Sequence, residues 1–224
     1  MRVIGLLSWF DEKPDHLAAL VANLADHGIS HMVAVDGAFA LYPDARAASP
    51  VEQRDAIWDA ASDARIGCTV YVPTVPWAGN EPEKRTAQFA IGHVVAEPGD
   101  WFVVLDADER IVQAGDYRQT LAGTWHECAT VIHTEQGRPD LIDRRFYRYQ
   151  PSGIEVRGTH FRFVTGDGRP LKGPGACEAD VAPIVVEHHP EARTAERLRR
   201  REGYYAARLN SNFEHERGGL PEVA

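Results

Sequence analysis

The chain is poor in the residues that mark several large classes of protein. Its three cysteines, Cys68, Cys128 and Cys177, are scattered over 224 residues with no C-x-x-C among them. That spacing indicates neither a zinc knuckle nor a disulfide framework, and a reducing compartment suits it best. Long apolar runs are also missing. The opening MRVIGLLSWFDEKP holds an apolar run of about six residues, against the ~18 of a membrane-spanning helix, and it lacks the cleavage pattern of a signal peptide. These features predict a cytoplasmic protein. Positive charge is in the minority: 24 Lys and Arg against 33 Asp and Glu give a formal net charge of −9 and a pI near 5.6. Such a chain carries no clear signal for nucleic acid or for an anionic membrane surface. Internal repeats and low-complexity segments are absent. What remains is ordinary for a globular protein, 44% hydrophobic and 25% charged, with length enough for a sizeable core.

The most informative stretch is DWFVVLDADERIV, residues 100–112. A Gly99-Asp100 turn leads into the apolar run Trp101–Leu105, which predicts a strand buried on both faces, as in a parallel sheet. The run stops at Asp106, Asp108 and Glu109. Unpaired carboxylates are costly to bury, so these acids belong where the strand leaves the core. In open α/β sheets that is the edge where ligands bind. Two carboxylates separated by one small residue can hold a divalent cation, which can in turn hold a diphosphate.

The rest of the first half alternates strand and helix. Val3–Ser8 reads as a buried strand, followed by Asp11-Glu12 and by Pro14, which suits a first helical turn. Leu17, Leu20, Val21 and Leu24 recur at helical spacing up to Gly28, and Met32–Val35 predicts a second strand ended by Asp36-Gly37. Residues 38–50 read as irregular. Val51–Ala64 is a predicted helix with Ile57 and Trp58 inward, and Cys68–Val72 a third strand. Pro73–Glu83 is rich in turn residues, and Lys84–Glu97 is a helix whose apolar face includes Phe89, Ile91 and Val94. The alternation predicts an α/β doubly wound architecture with a mostly parallel central sheet. Acids then follow three neighbouring strands and converge on one edge.

The second half reads as an antiparallel extension of the same domain: strands near Ala129–His133, Arg144–Tyr149, Gly158–Val164 and Ala182–Glu187, and a tight turn at Gly166-Asp167-Gly168. The alternating charge and aromatic side chains of Arg144–Tyr149 predict an exposed edge strand. Ile184, Val186 and His188 share one face, so a histidine ends the last strand. An arginine-rich helix is predicted over Pro190–Leu209. Its Arg193 or Arg197 suits a diphosphate, as guanidinium forks do, while a solvated helix face accounts for the remaining arginines. The division is 1–112 as a ligand-binding half, 113–212 as the remaining strands and helix, and 213–224 as a tail.

These pieces together resemble family 2 glycosyltransferases. WFDEKPDHLAALVANL is similar to their opening, VAVDG to their second strand, and EKRTAQFAIGHVVAEPGDWFVVLDADERIV to their helix, strand and D-x-D. RRFYRYQPSGIEVRGTHFRF and VVEHHPEARTAERLRRREGYY resemble the later motifs of the branch with lipopolysaccharide-core and peptide glycosyltransferases. The resemblance implies a single GT-A domain over 1–224, a UDP-, GDP- or dTDP-sugar donor and an unidentified acceptor. It places Phe10 and Glu12 at the base and ribose, Asp36 at the nucleoside, Arg85 near the donor, and Asp106 with Ala107 at the nucleotide sugar, with Arg193 as a further donor contact. Asp106, Asp108 and His188 (or His189) would hold Mn²⁺ or Mg²⁺. The chain departs from the pattern at Asp11, where Asn is usual, at Val35 before Asp36, and at Phe161 after His160. No Glu-Asp pair stands where inverting members carry the base; Glu178 and Asp180 are the nearest acids, and the stereochemical outcome stays open. A nucleotidyltransferase would want a Gly-rich loop after the first strand, which LLSWFDEKP lacks. A non-catalytic nucleotide-sugar-binding protein is the remaining alternative.

Overall fold

The computed structural model describes residues 1–43, 46–77, 81–135, 141–157, 162–189, 198–200, 202–204 and 206, with the backbone alone at Glu81, Glu135 and Leu141. In chain order the elements are β1 (Val3–Ser8), α1 (Pro14–Asp26), β2 (His31–Val35), α2 (Val51–Asp63), β3 (Gly67–Tyr71), α3 (Glu81–Val95), β4 (Trp101–Asp106), β5 (Glu109–Ala114), α4 (Tyr117–Gly123), β6 (Cys128–Glu135), β7 (Leu141–Arg148), β8 (Ile154–Arg157), β9 (Arg162–Thr165), β10 (Pro170–Lys172) and β11 (Asp180–His188). Residues 198–200, 202–204 and 206 are helical. The rest of the helix expected over Pro190–Leu209, the Gly158–Phe161 start of another expected strand, and the tail lie outside the described residues.

Eight strands form one mixed sheet in the order β3-β2-β1-β4-β7-β6-β11-β5. β1 to β4 pair in parallel, β6 and β11 point the same way as they do, and β7 and β5 run opposite. The expected antiparallel extension is therefore mixed, since β6 and β11 pair in parallel. It continues the sheet past β4, with β11 inserted between β6 and β5. A separate three-stranded sheet, β10-β9-β8, is antiparallel throughout.

Strand parity divides the core into two clusters. Val3 and Leu7 of β1, Met32 and Ala34 of β2, and Trp101, Val103 and Leu105 of β4 pack with α1, α2 and α4 on one face. Ile4 and Leu6, Val33 and Val35, and Phe102 and Val104 pack on the other, with Phe89 of α3 and the small sheet. Burial on both faces explains why these strands read as continuous apolar runs. α1 begins at Pro14 with Asp15 in its first turn, buries Leu17, Leu20, Val21 and Leu24, and gives way to Gly28 at φ 83°. Each of those four side chains adds roughly 1.5–3 kcal/mol of burial.

Three expectations are corrected. α2 buries Gln53, Ile57 and Ala61, spaced four apart, which turns Trp58 outward to 51% exposure. α3 buries Lys84, Arg85, Gln88 and Phe89, leaving Val94 83% exposed. β7 is an interior strand between β4 and β6, with Phe146 and Tyr147 buried on opposite faces, not an exposed edge.

Gly37 shows how tightly the β2 exit is packed. It sits at φ 104°, and an added Cβ would lie 2.6 Å from Pro73 Cγ and 2.8 Å from the Ala47 carbonyl. Asp36, just before it, is held in the same corner.

Because one sheet recruits strands from both halves of the chain, unfolding is expected to be a single transition. Phe146→Ala, which empties a buried site at the middle of that sheet, should cost about 3–5 kcal/mol in urea titration while leaving one transition. Two separated melting steps would contradict this.

Candidate functional site

The ends of β1, β2 and β4 lie side by side, since Ser8 is in register with both Val35 and Asp106. The chain leaves each strand at an acid: Asp11 and Glu12, Asp36, and Asp106 with Asp108 and Glu109. β11 points the same way and ends at His188, which is in register with Glu109 at the start of β5. The expected convergence of acids and histidine on the carboxyl edge is the observed one.

Parity decides what each carboxylate meets. Asp106 continues the side of Phe102 and Val104, the side on which α3 packs. There Arg85 Nη2 pairs with Asp106 Oδ1, while Arg85 Nη1 donates to Gln88 Oε1 at 3.1 Å and to the Leu105 carbonyl at 3.4 Å. The guanidinium is buried and the Asp106 side chain 40% exposed, so the pair presents one carboxylate outward on a fixed support.

Asp108 is buried and meets a different element. His188 Nε2 lies 2.8 Å from its Oδ2, across 80 residues of sequence, and His189 N donates to the Asp108 carbonyl at 2.7 Å. His189 itself turns to Glu187 at 3.2 Å. His188 thus meets Asp108 through its ring and His189 through its backbone N–H. On the α1 side, His16 Nε2 lies 2.8 Å from the Ala107 carbonyl, and Arg110 Nη2 donates to the His16 carbonyl at 2.9 Å. Burial, then the Arg110 charge, lowers the His16 pKa. Burial brings Arg110 down to about 10, against the pull of Asp108.

Glu109 fixes the turn between them. Its Oε2 accepts the Asp106 N–H at 2.8 Å, and its Oε1 receives Arg145 Nη2 at 2.6 Å and lies 3.0 Å from His133 Nε2. Arg145 also reaches Asp143 at 2.8 Å, which takes Lys172 Nζ of β10 at 2.6 Å. Burial opposes the Arg145 charge, but Glu109 and Asp143 outweigh it and raise its pKa. Burial likewise raises Asp143, and Arg145 and Lys172 bring it below its ordinary value. Arg145, His133 and Lys172 were not singled out from sequence; the RRFYR motif held the signal for Arg145, read there as surface alternation.

The β1 and β2 exits are stitched together by two side chains the sequence did not single out. Ser49 Oγ accepts from Asp11 N at 3.0 Å and donates to Asp36 Oδ1 at 2.6 Å, and Ser49 N donates to Asp36 Oδ2 at 2.7 Å. Buried Lys84 donates to the Trp9 carbonyl at 2.7 Å and the Gly37 carbonyl at 2.9 Å. Burial raises the Asp36 pKa, against the hydrogen bonds from Ser49 and Gly37 and the charge of Lys84. Glu12 is buried, and its N–H donates to Gln53 Oε1 at 3.0 Å. Phe10 is buried edge-on to Tyr42, which stacks on Tyr204 at 5.0 Å. Asp11, at φ 57°, a left-handed conformation that Asp tolerates, pairs with Arg46 and Arg200.

Glu178 and Asp180 are not brought to this edge. Asp180 opens β11 in register with Ala129, and His188 closes it eight residues on, roughly 25 Å along an extended strand. The two acids expected to supply a base stand toward the opposite edge of the sheet. Arg193, Arg197 and His160 lie outside the described residues.

Asp108 and His188 supply an oxygen and an imidazole nitrogen, a donor set suited to a hard or borderline divalent ion. Among the described residues no group of three His, Cys, Asp or Glu side chains is arranged to hold a metal. A Mg²⁺-type ion that shares its coordination with phosphates and water requires only one or two protein carboxylates, so the pair fits an ion completed by a ligand. Among the described residues no helix is long and apolar enough to cross a membrane.

No family model matches this chain, and no curated protein matches it significantly. Among solved structures, it is similar to the crystal structure of S. aureus TarS, at 11% identity and a TM-score of 0.41, over 63% of this chain and 23% of that one. A likeness of that size carries no argument about fold family or activity, and this chain spans less than a quarter of TarS.

Glu109→Ala is expected to cost roughly 3–5 kcal/mol, because it removes a carboxylate from a buried guanidinium. Glu155→Ala, which breaks an exposed pair with Arg157, should cost under about 1 kcal/mol. Equal urea midpoints for the two variants would refute a structural role for Glu109.

Proposed function

We propose that this chain is a metal-dependent glycosyltransferase with a GT-A fold, moving a sugar from a nucleotide-diphosphate donor to an acceptor. The observation that carries the reading is the meeting of Asp108 with His188 at 2.8 Å, on the same sheet edge as Asp106. Residues 80 apart in sequence, both named by the motif resemblance, arrive at one place. The α/β sheet with acids at its carboxyl edge supports the same reading.

In this reading Asp108 and His188 hold Mn²⁺ or Mg²⁺, which offsets the charge that develops on the departing diphosphate. Asp106, oriented by Arg85, receives the ribose side of the donor. Phe10, Glu12 and Asp36 line the nucleoside side, and Ser49 and Lys84 hold the two loops that carry them. Glu109 keeps the Asp106–Asp108 turn in one conformation while Arg145 neutralises it. The donor is a UDP-, GDP- or dTDP-sugar. The acceptor enters beyond the sugar, and since Glu178 and Asp180 stand toward the far edge, neither is assigned the base.

A diphosphate brings several negative charges toward Asp106 and Asp108, which at an effective dielectric of ~20 opposes binding by kilocalories unless a cation intervenes. UDP, GDP or dTDP should therefore raise the melting temperature with Mn²⁺ or Mg²⁺ present and much less with EDTA. At 100 times Kd the stabilisation is about 2.7 kcal/mol. Asp108→Asn keeps the shape of a ligand and removes its charge, and should abolish the metal-dependent part. A nucleotide shift indifferent to EDTA would overturn the metal assignment.

A further inference from the structure

Cys128 and Cys177 share no sequence motif, yet their sulfurs stand 3.4 Å apart across 49 residues of chain. Cys128 opens β6 and is buried; Cys177 precedes β11 and is partly exposed. Strand pairing holds Cys128, and the connection from β10 to β11 carries Cys177 past it. Ala129, next to Cys128, is in register with Asp180 of β11, and Thr130 Oγ1 donates to the Asp180 carbonyl at 3.2 Å. Cys128 Sγ lies 3.6 Å from the Glu178 carbonyl oxygen, and Cys177 N donates to the Pro170 carbonyl of β10 at 3.4 Å. A disulfide has its sulfurs near 2.05 Å, so closure asks the pair to approach by about 1.4 Å, within the reach of side-chain torsions. Arg144 Nη1, 3.5 Å from Cys128 Sγ, places a cation where a thiolate would form.

We propose that Cys128 and Cys177 are an oxidisable dithiol, closed to an intramolecular disulfide by a small disulfide reagent such as oxidised glutathione. The order of attack follows from accessibility. Cys177, the partly exposed thiol, loses its proton to solvent and attacks the reagent. The reagent's S–S bond breaks, one glutathione thiolate leaves, and Cys177 carries a mixed disulfide. Cys128 then loses its proton and attacks the Cys177 sulfur, expelling the second glutathione thiolate. Two thiols are oxidised and one disulfide is reduced to two thiols. Burial, then the contact with Cys177, pushes Cys128 up to about 12, so it is the resolving and slower partner. Cys68, pushed up to about 11 by burial alone, stands in register with Met32 on β2 and not beside a cysteine of β6 or of the β10–β11 connection, and stays reduced. The closed ring encloses β6 to β10 and ties the start of β6 in the large sheet to the chain entering β11. The proposal does not depend on the glycosyl-transfer reading.

The test uses the full chain, native, with excess oxidised glutathione, followed by acid quench, alkylation, intact mass and peptide mapping. The wild-type mass should fall by two hydrogens, with one thiol left to alkylate and a Cys128–Cys177 cross-linked peptide that dithiothreitol releases. The melting temperature should rise by about 10 °C, the size expected for closing a loop of this length in a chain of this size. Cys128→Ser should stop at a glutathione adduct on Cys177. The wild-type map decides the matter if that variant does not fold. Three alkylatable thiols in the treated protein, a lasting glutathione adduct without ring closure, or a cross-link through Cys68 would each overturn the proposal.

Discussion

A buried carboxylate needs donors, and Glu109 has three: the Asp106 N–H, Arg145 and His133. The turn after β4 depends on that arrangement. The chain passes from β4 into β5 through two residues, Ala107 and Asp108, both buried. An unpaired charge there would cost several kilocalories. Arg145 supplies the compensation from the neighbouring interior strand, and Asp143 and Lys172 compensate Arg145 in turn, extending the network to the small sheet. A partly exposed acid can stand at the sheet edge because a fully buried one three residues on is satisfied.

The same turn divides its two aspartates between layers. Asp106 is held by α3, the layer of the small sheet, and Asp108 by the end of β11. Arg85 holds the one and His188 meets the other, so the position of each carboxylate follows from how its own support packs against the sheet. For the proposed chemistry on a diphosphate such placement has a benefit, since acids oriented before a ligand arrives need little reorganisation.

Much of this was legible in the sequence, for reasons that differ by element. β1, β2 and β4 are covered on both faces, so their apolar runs announced them, and the acids after them marked the edge. His188 was legible through parity with Ile184 and Val186. The faces of α2 and α3 differ from the expected ones because hydrophobicity is a poor guide to burial there. Lys84 and Arg85 are inside because carbonyls and a carboxylate accept from them there, while Gln53 Oε1 accepts the Glu12 N–H and Gln88 Oε1 accepts from Arg85. β7 was misread for a related reason: Arg145 looks like a surface residue until Glu109 and Asp143 are seen beside it. Nearness across 49 residues, as for Cys128 and Cys177, leaves no local trace at all. Glu178 and Asp180 are the acids nearest in sequence to the missing Glu-Asp pair, and β11 places them at the other end of the strand from His188.

The placement of β11 sets an order of events for synthesis. Among the described residues β5 borders only β11 in the sheet, and β11 lies between β5 and β6, which are themselves made some 50 to 70 residues earlier. While the chain emerges, β5 has no strand partner and the near side of β6 stands open. Pairings of such large sequence separation form slowly and leave strand edges exposed meanwhile. Asp108 meets His188 at the last residue of the last strand. A nascent chain released early would hold every acid of the edge and still lack the imidazole, so the site exists only in molecules that have been translated through β11.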